Sequence, residues 1–547
     1  MGIGQNSLVL KINSGVNIKY KTHFFSIEKR QQEIEKHKLI LFSLGYISAF
    51  IKSKNNKDSL LEINFEIGKK YEWNLISESE KIKQIIPLNR FPKNLNSKII
   101  NEKINTLLSY CENNGYPFAS VKLDSIQIVE HKINAKLNLQ LNDFYTIDSI
   151  EIKGETKTSR DFILKTIGIK NKNDYNEQLI QKISGKINSI PFLETIKSPE
   201  VYFTKSKATL VLYIKDKNVS LFNGILGLNS NKITGKYEII GDVNLDLRNV
   251  FKAGERLIFN WEKVKPNSQR YLISVKYPYL FKTKIGAEAK LNYYRQDSSF
   301  TNLDGKIGLN YLINTKAEFS IFTQNIQSNS LLNSTTSPNF PTINTLNTNY
   351  YGVKFLYNNL DYELNPRRGT LWNLEFSSGK KQITKDIDNI DIAYQNLENK
   401  ITQQKIKIDI SWFLPLFQKS TVLVKMQSSN IFSSQLFENE LLQIGGLQTL
   451  RGFNEQSILA SNYFIFSSEY RYLFSENSSV FTFFDYAYYE NKGNNQFTHD
   501  TPFGFGIGVN FATNSGIFTL NYALGTQQNN PILVKNGKVH FGFVSLF

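Results

Sequence analysis

With a single cysteine, Cys111, in 547 residues, the chain can form no intramolecular disulfide and no cysteine-rich metal cage. Its five histidines (His23, His37, His131, His499, His540) are scattered, and no two stand at metal-ligand spacing. There is no P-loop, no dinucleotide-binding glycine pattern and no G-x-S-x-G elbow. An enzyme, a cofactor and a bound metal are therefore not expected. No stretch reaches the roughly 18 continuous apolar residues that a membrane helix needs. The best candidate, Leu39 to Ile51, contains Ser43, Gly45 and Ser48 and reads as a helix end, a turn and a strand start. Met1-Gly2-Ile3-Gly4-Gln5-Asn6 offers neither a basic nor an apolar segment, so no signal peptide is expected in this sequence, which leaves open that one has been removed from it. Acids are also in deficit: 65 Lys+Arg against 48 Asp+Glu gives a formal charge of +17. The lysines are spread and mixed with acids, without a basic stripe interleaved with aromatics. That pattern argues against nucleic acid and for a solvated basic surface, compatible with anionic lipid head groups.

What the chain does have falls into two parts, as its length requires. Up to about residue 217, helix-like and strand-like patterns alternate. Ser7 to Ile12 reads as a strand, Phe24 to Leu44 as helical, and Ile47–Lys52 and Leu60–Ile67 as strands. A second unit runs from Tyr71–Ile76 through a helical stretch Asn96–Glu112 to Ala119–Val129 and Ile133–Leu141. A third has Tyr145–Ile152, helices at Ser159–Thr166 and Tyr175–Ile190, and strands at Thr195–Phe203 and Ala208–Ile214. The order strand–helix–helix–strand–strand, repeated at a period of roughly 70 residues, predicts three α+β modules, 1–70, 71–142 and 143–217. Gly45 and Gly115 suit helix C-terminal caps.

From residue 218 the helical signal stops and period-2 alternation takes over. Phe503, Phe505, Ile507, Val509 and Phe511 alternate with Gly504, Gly506, Gly508 and Asn510; Ile406, Ile408, Ile410 and Trp412 alternate with Lys407, Asp409 and Ser411. About sixteen such segments are expected, centred near Ile225, Val243, Phe259, Ile273, Ala289, Leu309, Phe319, Val353, Leu374, Ile408, Val424, Phe466, Phe484, Ile507, Leu520 and Phe543. An even number of segments of about 10 residues, many ending in aromatics, predicts an all-β transmembrane antiparallel barrel over 218–547. Connections 7–8, 9–10, 11–12, 13–14 and 15–16 are long and polar (Ser328–Asn347, Lys381–Gln403, Ile431–Ala460, Asn491–Thr501, Gln527–Gly537). Short connections such as Pro266-Asn267 and Lys282 are assigned to the opposite rim.

In the sixth long connection stands Gly445-Gly446-Leu447-Gln448-Thr449-Leu450-Arg451-Gly452-Phe453. Before the ninth strand stands Asp361-Tyr362-Glu363-Leu364-Asn365-Pro366-Arg367-Arg368-Gly369, and the chain ends Phe541-Gly542-Phe543-Val544-Ser545-Leu546-Phe547. Barrel, modules and these three motifs together resemble the BamA/TamA superfamily of outer-membrane assembly factors over essentially the whole chain, closest in layout to TamA. The resemblance implies that the modules are POTRA domains in the periplasm and that the barrel sits in the bacterial outer membrane. It implies that the sixth loop folds into the lumen, with its arginine on acids of strands 12 and 13. Alternation selects those acids independently. Phe464, Phe466, Tyr470 and Tyr472 share one face of strand 12, leaving Glu469 and Arg471 on the other; Phe484, Tyr486 and Tyr488 leave Asp485 on the other face of strand 13. Arg451 is thus expected to meet Asp485 and Glu469, the alternative being that these are ordinary lumen-lining acids. Ala487 stands where the family often has glycine.

The function implied is assembly of outer-membrane proteins: clients received by the modules and inserted at the seam between strands 1 and 16. Glycines that weaken a strand, Gly224 and Gly227 in the first and Gly542 near the terminal Phe547, mark that seam. The partners implied are unfolded outer-membrane proteins and the lipid bilayer, with a TamB-like inner-membrane partner or accessory lipoproteins as further candidates. The alternative is a two-partner secretion pore, which resembles a two-module chain with a plug helix; a passive porin-like barrel would leave three modules without a purpose.

Overall fold

A computed structural model describes residues 8–78, 82, 97–205, 207–230, 237–265, 267–281, 283–331, 343–384, 398–493, 497–513, 516–528 and 530–546. Phe547, Pro266 and Lys282 lie outside the described residues. The chain divides into two compact units: residues 1–151, 170–182 and 199–211, and residues 152–169, 183–198 and 212–547.

In the first module, strand Leu8–Asn13 runs parallel to Leu60–Glu66, which pairs antiparallel with Phe50–Lys57. One helix, Ile27–Ser43, covers this sheet; Arg30, Ile34, His37 and Leu41 recur at helical spacing on its buried face. The second helix expected here is replaced by a short strand, His23–Phe24, against Leu8–Val9. Phe24 enters the core from that strand with Leu10, Ile34, Leu41 and Ile63, so the helix begins only after Ser26. In the second module Glu72–Glu78 is parallel to Lys132–Gln140, with Ser120–Val129 on the edge and helix Ser97–Glu112 packing Ile100, Leu107 and Cys111 into its core; residues 79–81 and 83–96 lie outside the described residues. Gly45 and Gly115 follow the two helices in left-handed conformation, at φ of 100° and 91°. The third module has strands Thr146–Lys153, Leu193–Thr204 and Lys207–Asp216. Its expected long helix is split into Glu177–Gln181 and Ile183–Asn188. The Asn176 side chain accepts from the Leu179 amide and starts the first piece.

The end of the third module is pinned locally. Asp216 accepts hydrogen bonds from the Thr156 hydroxyl (2.6 Å), the Lys157 amide (2.8 Å) and the Thr158 hydroxyl (2.9 Å), and Thr158 in turn accepts from Asn249, just after the barrel strand Tyr237–Arg248 (2.8 Å). Partial burial pushes the Asp216 carboxyl up, but these donors outweigh it and hold it below the ordinary carboxylate value.

Residues from Leu221 onward form a closed antiparallel barrel. Strands 1 to 8 are Leu221–Ser230, Tyr237–Arg248, Arg256–Lys265, Ser268–Tyr277, Ile285–Gln296, Phe300–Leu312, Ala317–Ser330 and Leu346–Asn358. Strands 9 to 16 are Gly369–Ile383, Lys400–Phe417, Ser420–Phe432, Asn462–Ser475, Ser478–Asn491, Phe503–Thr513, Gly516–Thr526 and Lys538–Leu546. A short segment, Thr498–Asp500, extends the tip of strand 13. All sixteen centres expected from alternation fall within these strands.

The barrel is apolar outside and polar inside. Ile307, Leu309, Phe319, Ile321, Phe484 and Tyr486 are exposed on its outer surface. Its wall pairs Lys276 with Glu318 (2.6 Å), Lys306 with Glu375 (2.7 Å) and Lys354 with Glu288 (3.6 Å). Uncovered apolar area is unfavourable in water by about 25 cal/mol per Å². A belt of it around a closed sheet is at home in hydrocarbon, where closure also satisfies the backbone. One rim assignment needs correction. Pro266-Asn267 joins strands 3 and 4 and so belongs to the rim of the long loops. Lys265 pairs with Ser268 across it, and Asn267 takes a left-handed φ of 59°.

Closure is uneven. Strand 1 meets strand 2 along its whole length, from Leu221 opposite Asp246 to Ser230 opposite Tyr237. Strand 1 meets strand 16 only through Leu221 opposite Leu546 and Phe222 opposite Ser545 among the described residues.

Candidate functional site

The sixth loop, between strands 11 and 12, carries its own hairpin, Leu442–Ile444 against Ile458–Ala460. At its turn the Gly445 amide donates to Thr449 Oγ1 (2.8 Å), the Gly446 amide to the Leu450 carbonyl (3.0 Å) and the Leu447 amide to Glu455 Oε1 (2.7 Å). Gly452 adopts φ 94°, and a Cβ there would lie 2.8 Å from the Leu524 carbonyl carbon and oxygen, so only glycine lets the loop press against strand 15. Leu450 and Phe453 flank the arginine and sit in an apolar cluster with Ile444, Ile458, Ala460, Ile465, Ala487 and Tyr489. Ala487 thus packs against the loop.

This clamp delivers Arg451 to the wall. Its Nε and Nη2 donate to Asp485 Oδ2 and Oδ1, both at 2.7 Å, and its backbone amide donates to Asp485 Oδ2 at 3.1 Å. Nη1 donates to Glu469 Oε2 at 2.6 Å. The guanidinium lies over the Phe483 ring, 3.7 Å from its centroid. Asp485 is 0% exposed, Glu469 6% and Arg451 9%. Glu469 Oε1 accepts from Arg471 Nε at 2.5 Å. The four groups carry two positive and two negative charges, so the cluster is neutral, and the planar fork of Arg451 matches the carboxylate geometry. Gly504 faces Asp485 across strands 13 and 14, and a Cβ there would meet the Arg451 carbonyl at 2.0 Å.

The turn before strand 9 connects to the same cluster. Asp361 Oδ1 accepts from the amides of Tyr362 (2.9 Å), Arg367 (3.0 Å) and Arg368 (3.2 Å), and Gly369 leaves the turn at φ 120°. Asn365 and Pro366 are buried. Asn365 donates to the Glu476 carbonyl (2.8 Å) and accepts from Arg471 Nη1 (3.2 Å). A continuous chain of polar contacts therefore runs Arg451–Glu469–Arg471–Asn365. The turn also sends Glu363 to Arg248 (2.5 Å), which bridges to Asp246 (2.9 Å).

The glycines named for the seam are less eventful. Gly224 opposes Val243 and Gly227 opposes Ile240 on strand 2, and Gly542 opposes Thr519 on strand 15, with Leu447 of the sixth loop beside it. Sequence reasoning passed over a second set of loop contacts, made by Asn439 and Glu440 with the walls of strands 6 to 10. Only the polar loop sequence around them was legible.

A search of curated proteins found no match. Among solved structures the chain is similar to CdiB from Escherichia coli (13% identity, 95% of this chain and 97% of that chain, TM-score 0.53). It is also similar to CdiB from Acinetobacter baumannii (14% identity, 95% and 98%, TM-score 0.52). BamA from Haemophilus ducreyi lacking POTRA domains 1–3 matches at 14% identity, 87% and 99%, with TM-score 0.48. The two CdiB likenesses concern the fold alone, over nearly the whole of both chains. The model of the Omp85 superfamily domain matches residues 249–544, a span holding the loop arginine, both acids and the turn before strand 9. By that match the chain belongs to the Omp85 superfamily.

Proposed function

We propose that this protein assembles other outer-membrane proteins, taking unfolded clients at its modules in the periplasm and releasing them into the bilayer at the seam between strands 1 and 16. The observation that supports this reading is the seam itself. Leu221–Leu546 and Phe222–Ser545 are its register pairs, so most of the facing edges of the two strands, among the described residues, carry backbone donors and acceptors without a partner across the seam. Unpaired backbone groups are expensive in hydrocarbon, by several kcal/mol each. An incoming client strand bears the same liability, and pairing with either edge lowers it for both. The modules offer edge strands such as Ser120–Val129, which suit an extended client. A TamB-like inner-membrane partner or accessory lipoproteins would supply clients from that side.

The test joins the seam covalently. Phe222 and Ser545 are direct neighbours across it. In the double variant Phe222→Cys/Ser545→Cys, the oxidised protein is expected to stop inserting client barrels into vesicles, and reduction is expected to restore insertion. Undiminished insertion by the oxidised form would sink the reading. Depletion in the cell envelope separates the alternatives: many barrels fall together if the protein assembles them, whereas one exported protein stays in the periplasm if it is a two-partner secretion pore.

A further inference from the structure

The sixth loop meets the barrel at a second place, distinct from Arg451. Its outer segment, the single turn Glu438–Glu440 with Phe437 before it, is sunk among the strand ends at the long-loop rim. Lys381, close to the end of strand 9, is fully buried. Its ammonium donates to the Gln435 carbonyl (2.5 Å) and to Glu440 Oε2 (2.9 Å) and Oε1 (3.1 Å). Glu440 also accepts from Gln403 Nε2 of strand 10 (3.0 Å) and from the Phe437 amide (3.1 Å). Next to it, Asn439 Nδ2 donates to Ser328 Oγ of strand 7 (2.5 Å) and to the Asn344 carbonyl (2.7 Å), while its own carbonyl accepts from Asn302 of strand 6 (2.9 Å). Phe437, fully buried, packs with Leu346, Ile383 and Ile401 from the same rim.

We infer that Lys381, Glu440 and Asn439 form an outer latch that shuts the barrel lumen toward the long-loop side, separately from the Arg451 anchor. Three observations carry it. First, a buried charge pair in which both partners have further hydrogen bonds fixes one geometry and is strongly disfavoured when one partner is lost. Second, the latch draws on strands 6 to 10, whereas Arg451 draws on strands 12 and 13, so each grips a different part of the wall. Third, Asn439 and Glu440 line a cavity of about 1160 Å³ that continues past Gln448 and Glu455 to Asp242, Glu262 and His540, the last on the seam strand 16. The latch is one wall of that space. Releasing it opens the polar interior to the long-loop side without disturbing the seam. The latch therefore acts in the same way whether clients leave sideways or through the lumen.

The experiment is single-channel conductance of the full chain in a planar bilayer. Lys381→Met and Glu440→Gln are each expected to raise the open probability at least tenfold over the parent. Folding of each variant is checked by its resistance to unfolding by detergent at room temperature. A further double variant, Ser328→Cys/Asn439→Cys, is joined by a short reducible thiol cross-linker; Cys111 is buried and does not compete. Cross-linking is expected to suppress openings even in an Arg451→Ala background, and reduction to bring them back. Parent-like conductance in both folded single variants overturns the latch. So does a cross-linked Arg451→Ala protein that opens as freely as the reduced one, because the outer contact would then not be what closes the mouth. Should the single variants fail to fold, the cross-linked pair decides alone. Failure of the seam experiment leaves these outcomes unaffected, so the two readings fall separately.

Discussion

Arg451→Ala is the sharpest perturbation the structure offers. The arginine balances Asp485, which has no exposure, and shares Glu469 with Arg471. Its removal turns a neutral four-charge cluster into one with a net negative charge. It also leaves Asp485 with the residue 451 amide as its hydrogen-bond donor from the loop. Breaking one side of a buried pair is worth about 3–5 kcal/mol, and the polar lumen beside the loop argues for the lower end. At about 1.4 kcal/mol per tenfold, that is on the order of a 100-fold shift from docked to undocked loop. The assay is thiol labelling of Ala460→Cys, a fully buried position on the loop hairpin that is reached only when the loop leaves the wall. Labelling is expected to speed up about 100-fold on adding Arg451→Ala. Arg451→Lys, which keeps the charge but not the two-pronged fork, should fall between. The decisive comparison is Arg451→Ala/Asp485→Asn. If the damage is an unpaired buried charge, neutralising Asp485 recovers part of the docking. A double variant that labels as fast as Arg451→Ala, or faster, refutes the electrostatic account and leaves packing of Leu450 and Phe453 as the anchor.

Asn365→Leu removes one contact of Arg471 and the donor to the Glu476 carbonyl, a loss of about 1–3 kcal/mol at a buried site. Through Arg471 and Glu469 it is expected to raise labelling at Ala460→Cys, less than Arg451→Ala does and without adding to it; unchanged labelling breaks the link between turn and loop. In the first module, burial holds His37 below the ordinary histidine pKa, with Glu33 opposing only in part. The unfolded module then takes up a proton first as pH falls, so stability declines below about pH 6.5 and is level above it. Hydrogen exchange of the helix Ile27–Ser43 in the full chain should show faster opening at pH 5.5 than at pH 7.5, beyond the intrinsic change, and His37→Phe should remove the difference.

The barrel was legible because a strand between lipid and lumen must alternate, and every second residue reports its solvent. That same rule puts Glu469 and Asp485 on the strand face away from Tyr470 and Tyr486 with no reference to what they touch. Helix counts were less legible. Phe24 satisfies a helical spacing and a strand position equally well, and the pairing of His23–Phe24 with Leu8–Val9 decides between them. The length of Pro266-Asn267 does not reveal its rim, because a tight hairpin fits either one.

Lys381 and Glu440 show why the rest could not be read. They are 59 residues apart, one on a strand position with ordinary lumen polarity and the other in a loop without periodicity. In a soluble core a partner is announced by its apolar pattern. In a polar lumen the contacts are between charges and amides, which look the same in sequence whether they are solvated or sealed. Arg451 escapes this only because glycines at 445, 446 and 452 and the apolar Leu450 and Phe453 set it apart from the loop around it. Those neighbours fold the hairpin back against strands 12 to 15, and the charge arrives with them. The outer contact has no such glycine-marked escort: the partners of Phe437, namely Leu346, Ile383 and Ile401, each sit at a strand end where alternation is about to stop. The loop's two attachments thus differ in kind. One is carried by a local sequence signature and the other by the way strands 6 to 10 end, so the first yields to substitutions in the loop, whereas the second yields equally to Lys381→Met in the wall and to Glu440→Gln in the loop.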